Sequence, residues 1–593
     1  MGPQDSSRDS SRESSQRRRV QMHAILICVT LALVAGRIAT VINPQGTAAF
    51  LSANDRSRWV SVAALVENGT FAIDDLIAVK SSTGHRLWDT IDKVRHVGND
   101  GMLHYYSSKP TLLTTLIAGV YALFYSVTGL AMTAHPIYVP RALLMLINVP
   151  TLALFLITMM RSIERLEVSD FAKRFCVTAA CFGTMLTSFA LSLNNHLFAA
   201  AATSLTLYLY LKASDCHAEY GSRHQWNRSR SKPSSRTRSS KTARHKSSSR
   251  SRGQTGFGTW LLAGVAAAMT VACELPALSM FCLWAVLFAW LTPRSIPGFV
   301  VGAAIVTAGI FGTNYWAHQS WKTPYAHRGY GDVITGYDWQ EDLTQSDFAR
   351  AESLRDVLKA KPPFADATNI LLRPLTSGGY AAIAEFEAKG TEANGAEANG
   401  EIIRQQPFKV QHYPNAKSPA SWKLVEWDDW YEYPGSYWRT GKRRGVDLGE
   451  PDRGTYLFHA TLGHYGLFSL TPIWLLVPTG LAFQCVRGRS EHRRLAASVL
   501  LATLVCLAFY VARPEIDRNY GGVSVCFRWM LWFAPLWLFA IAPEVNQLST
   551  RAVGRWFAIA LLAGSVFSVA TSLDSPWQSP WLYRFASFLG WLG

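Results

Sequence analysis

Four places in the 593-residue chain set ionisable or hydrogen-bonding side chains beside apolar sequence. They are Asn54-Asp55-Arg56-Ser57-Arg58-Trp59, Tyr105-Tyr106-Ser107-Ser108-Lys109-Pro110, Asn194-Asn195-His196, and Glu274 within Cys273-Glu274-Leu275-Pro276. Charged groups in or beside a lipid phase are costly and mark functional positions. A carboxylate such as Asp55 can take a proton from a hydroxyl or amine. Lys109 and an arginine can stabilise charge developing on a leaving phosphate in a water-poor pocket. His196 can serve as an acid or base, a metal ligand or a hydrogen-bond donor. Each residue also has a plainer reading. Asp55 caps the helix that follows it, and Lys109 snorkels to the membrane interface. Asn194, Asn195 and His196 close a turn, and Glu274 pairs with an intramembrane cation such as Arg37. Arg528, at the start of a late apolar run, is a pocket residue or an interface anchor.

Composition says what must position these groups. Hydrophobic residues make up 49% of the chain and charged residues 17%, against about 25% charged in soluble proteins. The apolar residues gather in runs of span length, and a helix needs about 20 such residues to cross a bilayer. The expected fold is an all-α polytopic membrane protein with roughly 11–13 transmembrane helices. Its first outer loop bears surface helices, and a mixed loop or domain lies outside the membrane. The divisions expected are a disordered basic cytoplasmic tail, 1–21; an N-terminal transmembrane module, 22–213, with outer loop 43–110; a disordered basic cytoplasmic loop, 214–257; transmembrane helices, 258–318; an extracytoplasmic domain, 319–457; C-terminal transmembrane helices, 458–573; and an extracytoplasmic tail, 574–593.

The run Trp260–Leu291 is too long for one span and breaks at Glu274-Leu275-Pro276. Asp55–Glu67 has a helical pattern with Trp59, Val62, Ala63 and Val66 on one side, fit to lie flat on the membrane. The aromatics Trp427, Trp430, Tyr431, Tyr433, Tyr437 and Trp438 either stack on sugar rings or pack on the membrane domain. The second use fits the general behaviour of interface aromatics.

The net charge of +17 sits largely in Arg17–Arg19 and in the Ser/Arg/Lys-rich stretch 223–252. These read first as topology determinants that keep the N-terminus of a plasma-membrane protein in the cytoplasm, second as a patch that attracts anionic lipid and third as an RNA-binding run, and they are not taken as a nucleic-acid signature. Counting spans forward from the N-terminus and back from the basic insert gives opposite orientations for the first half. Either one run there is re-entrant or interfacial, or the first half holds one further span. Nearly all of the nine cysteines lie in or beside apolar runs, without a disulfide framework or CxxC metal spacing.

The order and setting of the motifs resemble the C-type glycosyltransferase superfamily of polytopic membrane enzymes, which includes protein O-mannosyltransferases and the bacterial aminoarabinose transferase. In that superfamily the first outer loop opens with Asp-Glu-x-Arg-Tyr. Asp55-Arg56-Ser57-Arg58-Trp59 keeps the acid, the arginine three residues later and the aromatic. The loop ends on an aromatic-rich Lys-Pro-Pro-Leu. Tyr105, Tyr106 and Lys109-Pro110-Thr111-Leu112 stand there, with Thr111 in the second proline's place. Asn195-His196-Leu197 occupies the setting of a second Asp, Glu274-Leu275-Pro276 that of a Thr-Lys-Gly-Pro turn, and Phe527-Arg528-Trp529 that of a late Arg-Tyr.

The motifs cover the first half of the chain, and topology alone covers the rest. The resemblance implies sugar transfer from a polyprenyl-phosphate-linked donor to an extracytoplasmic lipid, glycan or protein by an inverting mechanism. Asp55 would be the base and His196 a second catalytic group. Arg58, Trp59, Tyr105, Tyr106, Lys109, Asn195, Glu274 and Arg528 would bind substrate. Asp55 and Lys109 would face each other across a cavity at the outer leaflet. Membrane lipids are the other partners expected. No cofactor is certain, and some relatives use a divalent metal. The competing reading is a transporter or lipid flippase without glycosyl transfer. It lacks the internal repeat usual in transporters, and the charges here gather at one face.

Overall fold

A computed structural model describes residues 3–80, 84–230, 256–344, 346–375, 378–388, 402–412, 421–439 and 441–591. The chain is a multi-pass helical membrane protein. Among the described residues six helices are long and apolar enough to cross a bilayer: Ser14–Thr40, Thr111–Thr128, Tyr138–Glu164, Ser295–His318, Ser490–Ala512 and Ala552–Ala570. Of the other apolar runs counted toward the expected total, 197–211 lies in the 35-residue helix His196–Arg230, and most of the rest form shorter pieces. The run 175–193 divides into Asp170–Phe182 and Leu186–Phe189. The run 260–291 divides at the expected break, where Glu274 is extended and Leu275–Ala277 forms a 3-10 turn between Phe257–Cys273 and Leu278–Leu291. Prolines 276 and 472 sit in the first turns of such pieces, where the missing N–H does least harm.

The chain divides into two compact units, one of residues 1–42, 140–308 and 446–593 and the other of residues 43–139 and 309–445. In the first unit, the Phe257–Cys273 and Ser295–His318 helices meet through glycine. A Cβ at Gly264 would lie 2.0 Å from the Phe299 carbonyl oxygen, and one at Gly302 would lie 2.1 Å from that of Leu261. Gly298 and Gly302 are one turn apart, so backbones approach as closely as small residues allow in membrane helices.

The tail expected to be disordered to residue 21 is helical from Pro3. Its Arg19 is buried against Glu164, at 2.7 Å, and Asp170. Two carboxylates from neighbouring helices thus order a segment that composition marks as unstructured. The helix His196–Arg230 runs into the basic insert, whose residues 231–255 lie outside those described. Arg37 pairs with Asp574 at 2.6 Å, so the cation weighed as a partner for Glu274 is engaged elsewhere.

The second unit joins the first loop to a sheet domain. The hairpin Lys93–Val97 and Leu103–Ser107 is antiparallel. A second, five-stranded antiparallel sheet runs in the order Arg328–Asp338, Ser421–Asp429, Ile402–His412, Tyr380–Ala388, Asn369–Pro374. The Asp347–Lys359 helix puts Leu354 and Leu358 into a core with Phe364, Phe408 and Trp422. The Gly/Ala/Glu/Asn-rich residues 389–401, expected from their composition to form a flexible surface loop, lie outside the described residues.

The loop helix, Ala53–Glu67, is buried continuously from Ser57 to Ala64. It therefore packs inside protein rather than flat on a membrane, because the hairpin and the Thr111–Thr128 helix cover it. Of the aromatic cluster, Trp430, Tyr431 and Tyr433 are buried. Trp438 donates its indole N–H to the Ile91 carbonyl at 2.7 Å. These aromatics pack on the first loop.

Gly302→Leu should destabilise the folded protein by about 1–3 kcal/mol, since the added side chain meets backbone that cannot swing away. Thermal unfolding in detergent checks this, with Gly258→Leu, where nothing lies near the added carbon, as the tolerated control.

Candidate functional site

In the second unit the first turn of the loop helix fixes Asp55. Ser52 is the N-cap and Asp55 its capping-box partner. One carboxylate oxygen accepts the Leu51 amide at 2.8 Å, and the other accepts the Ser52 amide at 2.8 Å and its hydroxyl at 3.1 Å. Asp55 is fully buried. Burial pushes its carboxyl up to about 6 despite those hydrogen bonds. Arg58 donates to the Asn54 side chain and, at 3.1 Å, to its carbonyl. Trp59 is wholly buried.

Lys109 pairs at 2.8 Å with Asp92, not with Asp55. Both side chains are nearly sealed, at 6% and 12% exposure. The Asp92 carbonyl takes the Ser57 hydroxyl at 2.5 Å and the Ser108 amide at 3.1 Å. The expected confrontation of Asp55 with Lys109 thus becomes one of Asp92 with Lys109. The reason is local: the helix N-terminus claims the Asp55 carboxylate for its own amides.

Lys109 lies just before the first turn of the Thr111–Thr128 helix, whose N-cap is Pro110. It borders a niche of about 10 Å³ with Ser61, Ser107, Thr111, Thr114 and His318. Tyr106, Phe71 and His318 belong both to this niche and to a larger cavity of about 370 Å³. Asp74, Asp75, Asp100, His104 and Trp316 line the larger one. Tyr106 stacks on His96 at 4.1 Å, and burial raises its hydroxyl's pKa. Tyr105 turns away, under Lys93 and Arg95 and edge-on to Tyr433. His104 bridges Asp100, at 2.7 Å, and Asp74, at 3.2 Å. Burial pulls its pKa down and these carboxylates more than reverse that.

The first unit holds a separate cluster. His196 begins a helix, Glu274 ends another, and Arg528 opens a 3-10 turn. The His196 Nδ1 lies 2.5 Å from Glu274 Oε1, and Arg528 Nη1 lies 2.7 Å from His196 Nε2. A guanidinium only donates, so Nε2 is the acceptor and the imidazole proton sits on Nδ1, facing the carboxylate. Asn195 donates to Glu274 at 2.7 Å and to the Cys273 carbonyl at 2.8 Å.

Arg528 Nε donates to the Gly521 carbonyl at 2.7 Å, and its guanidinium lies 4.9 Å over Trp577. Gly521 has φ +94°, and a Cβ there would meet Arg528 Nε at 2.4 Å. Both facts require glycine. Four residues singled out in the sequence, Asn195, His196, Glu274 and Arg528, therefore meet.

Sequence reasoning missed Asp92, His96 and His318. No motif marks them. His318 does end an apolar run as Lys109 precedes one, and the same edge-of-membrane criterion would have found it. Among the described residues no group of three or more His, Cys, Asp or Glu is placed to hold a metal ion.

Lys109→Met should destabilise by about 3–5 kcal/mol by stranding the Asp92 carboxylate, and adding Asp92→Leu should recover most of that loss. Unfolding of the two single variants and the double variant in detergent measures the coupling.

No protein-family model and no curated protein sequence matches the chain. Among solved structures it is similar to the Archaeoglobus fulgidus oligosaccharyltransferase AglB in complex with an inhibitory peptide and a dolichol-phosphate. The identity is 12% over 96% of this chain and 57% of that one, with a TM-score of 0.41. The same archaeal enzyme in complex with Zn and sulfate gives 12% identity over 95% and 55%, with a TM-score of 0.41. The chain thus spans little more than half the length of that enzyme. The S. cerevisiae protein O-mannosyltransferase Pmt1-Pmt2 complex bound to the sugar donor gives 10% identity over 96% and 92%, with a TM-score of 0.40. At these scores the likeness carries no argument about what the chain does.

Proposed function

We propose that the chain transfers a sugar from a polyprenyl-phosphate-linked donor to an extracytoplasmic lipid, glycan or protein acceptor. The observation that carries this reading is Lys109. A buried ammonium stands at the N-terminus of a membrane helix, among the hydroxyls of Ser61, Ser107, Thr111 and Thr114. A lysine, oriented hydroxyls and a helix N-terminus favour a phosphate for the same electrostatic reason. The niche itself is water-sized, so a phosphate enters by displacing Asp92 from Lys109. An apolar helix beginning at that point gives the prenyl tail its place in lipid.

Asp55 is the proposed base. A carboxyl near 6 is suited to proton exchange around neutrality, and its use requires the cap at Leu51 and Ser52 to open. In the other unit, Arg528 is proposed as a preorganised cation for an anionic substrate group. His196, Glu274 and Asn195 would hold it in place. Arg58, Trp59, Tyr105 and Tyr106 are proposed to shape the loop around the substrate. No residue is assigned to a divalent metal, since the described residues bring no three candidate ligands together; adding a chelator tests for one.

The test is turnover of radiolabelled polyprenyl-phosphate sugars in proteoliposomes. Asp55→Asn keeps an oxygen for the cap but cannot take a proton. It should stay folded and lose at least about 100-fold in rate, as loss of a general base does. Full activity in Asp55→Asn would remove it as base. A wild-type protein inert toward every such donor, yet able to move lipid between leaflets, would establish the flippase reading instead.

A further inference from the structure

The two faces of the first-loop hairpin differ in charge. His96 and Tyr106 line the larger cavity. Lys93 and Arg95 alternate with Val94 and His96 along the first strand, and Tyr105 stands opposite Arg95. These three residues therefore share the other face. The Lys93 ammonium lies 5.1 Å and the Arg95 guanidinium 5.4 Å over the Tyr105 ring.

The sheet domain brings further cations to this face. Arg373 is on the edge strand Asn369–Pro374, opposite Ala381, which in turn is opposite Lys409. This row lies on the side away from the Asp347–Lys359 helix, whose core takes the neighbouring Ala382 and Phe408. The Lys409 ammonium sits 3.6 Å over the Tyr330 ring, and the Tyr330 hydroxyl donates to Glu432 at 2.8 Å. The Arg95 amide donates to the Trp430 carbonyl at 2.9 Å, so the segment through Glu432 joins the hairpin to that side of the sheet. Burial raises the Tyr105 pKa, and Arg95 and Arg373 are both near enough to oppose this. Burial and then the like charges of Arg439 and Arg95 hold Arg373 below the usual arginine value, with Glu432 acting the other way.

Among the described residues neither the Arg95 nor the Arg373 side chain has a hydrogen bond or an ion pair. Only the Arg95 Nε is sealed, and the terminal nitrogens of both guanidiniums reach water. Lys93 is paired with Asp89, and Asp74 is held by the Tyr105 amide and His104. Three guanidiniums, those of Arg95, Arg373 and Arg439, thus face one carboxylate, Glu432, which leaves an excess of two positive charges. Like charges gathered in a half-buried place cost stability unless an anion offsets them. Guanidiniums pair bidentately with phosphate, and a phosphate monoester carries up to about two negative charges. A single carboxylate would offset only half of the excess.

We infer that Arg95, Arg373 and Arg439 form a binding site for a phosphate monoester beside Tyr105. It is distinct from the Lys109 niche, which Tyr106 of the other hairpin face lines, and it does not depend on sugar transfer.

The test titrates the full-length protein in dodecyl maltoside, which carries no phosphorus, with methyl phosphate, read by broadening of its phosphorus NMR line. Methyl phosphate is used as the dianion, above its second ionisation at about pH 6. Binding in the millimolar range is expected. Arg95→Gln and Arg373→Gln should each weaken it by at least about tenfold, the loss of one charge-assisted hydrogen bond. Lys359→Gln, an equal loss of charge at an exposed position, should leave it unchanged, and so should the Lys109→Met/Asp92→Leu double variant. Without phosphate, both arginine variants should melt no lower than the wild type, because each removes one of the repelling cations. An arginine that merely held the fold would lower Tm when removed.

Absence of broadening, equal affinity in the wild type and both arginine variants, a lowered Tm in both, or displacement by an equal concentration of succinate would each overturn the inference. So would binding that is lost in the Lys109→Met/Asp92→Leu variant and kept in Arg373→Gln, which would put the phosphate at Lys109. Two further ligands identify the source of the phosphate. Dihexanoyl phosphatidic acid binding at least about tenfold tighter than glycerol phosphate assigns a lipid headgroup, and any smaller preference assigns a soluble phosphate ester.

Discussion

An ammonium and a carboxylate withdrawn from water at the start of a membrane helix organise the second unit. Lys109 and Asp92 are worth little as an isolated pair, since desolvation offsets most of their attraction. Once buried, however, neither can lose the other cheaply. The segment between them is the hairpin, and the Asp92 carbonyl also anchors Ser57 of the loop helix and the amide of Ser108. One residue thus ties together the loop helix, both ends of the hairpin and the approach to the Thr111–Thr128 helix. The larger cavity and the smaller niche share Tyr106, Phe71 and His318 along this seam.

The cluster in the first unit is organised by a similar logic. Glu274, His196 and Arg528 alternate in charge and proton position, so each fixes its neighbour's state. Arg528 cannot accept a hydrogen bond, which forces the His196 tautomer. That tautomer in turn directs its N–H to Glu274. The backbone pays for this with glycine at 521, the only residue that fits both its left-handed φ and the close guanidinium. A buried, hydrogen-bonded cation in a membrane protein marks function more readily than stability.

Much of this was legible in the sequence, for identifiable reasons. Polar residues at the edges of apolar runs are conspicuous, so Asn195, His196, Glu274 and Arg528 stand out before any fold is known. Glu274-Leu275-Pro276 breaks its helix because proline cannot continue it. Other features were not legible. A helical period in residues 55–67 does not distinguish a membrane surface from a covering hairpin, and the hairpin is built from residues without a motif. Asp55 reads equally well as a base or a cap, and in the structure the cap is closed. Partner choice was hidden too, because Asp92 carries no signature and reaches Lys109 only through the fold of the loop. The basic tail reads as disordered on composition, yet Arg19 is ordered by carboxylates more than 140 residues away.

The most direct measurement of the central claim is the identity of lipid that co-purifies with the protein. Native mass spectrometry should compare the wild type with the Lys109→Met/Asp92→Leu double variant, which removes the cation without stranding its partner. A polyprenyl phosphate or its glycosyl ester should be present on the wild type and lost from the variant. Ordinary phospholipids alone, in equal amounts on both, would contradict it.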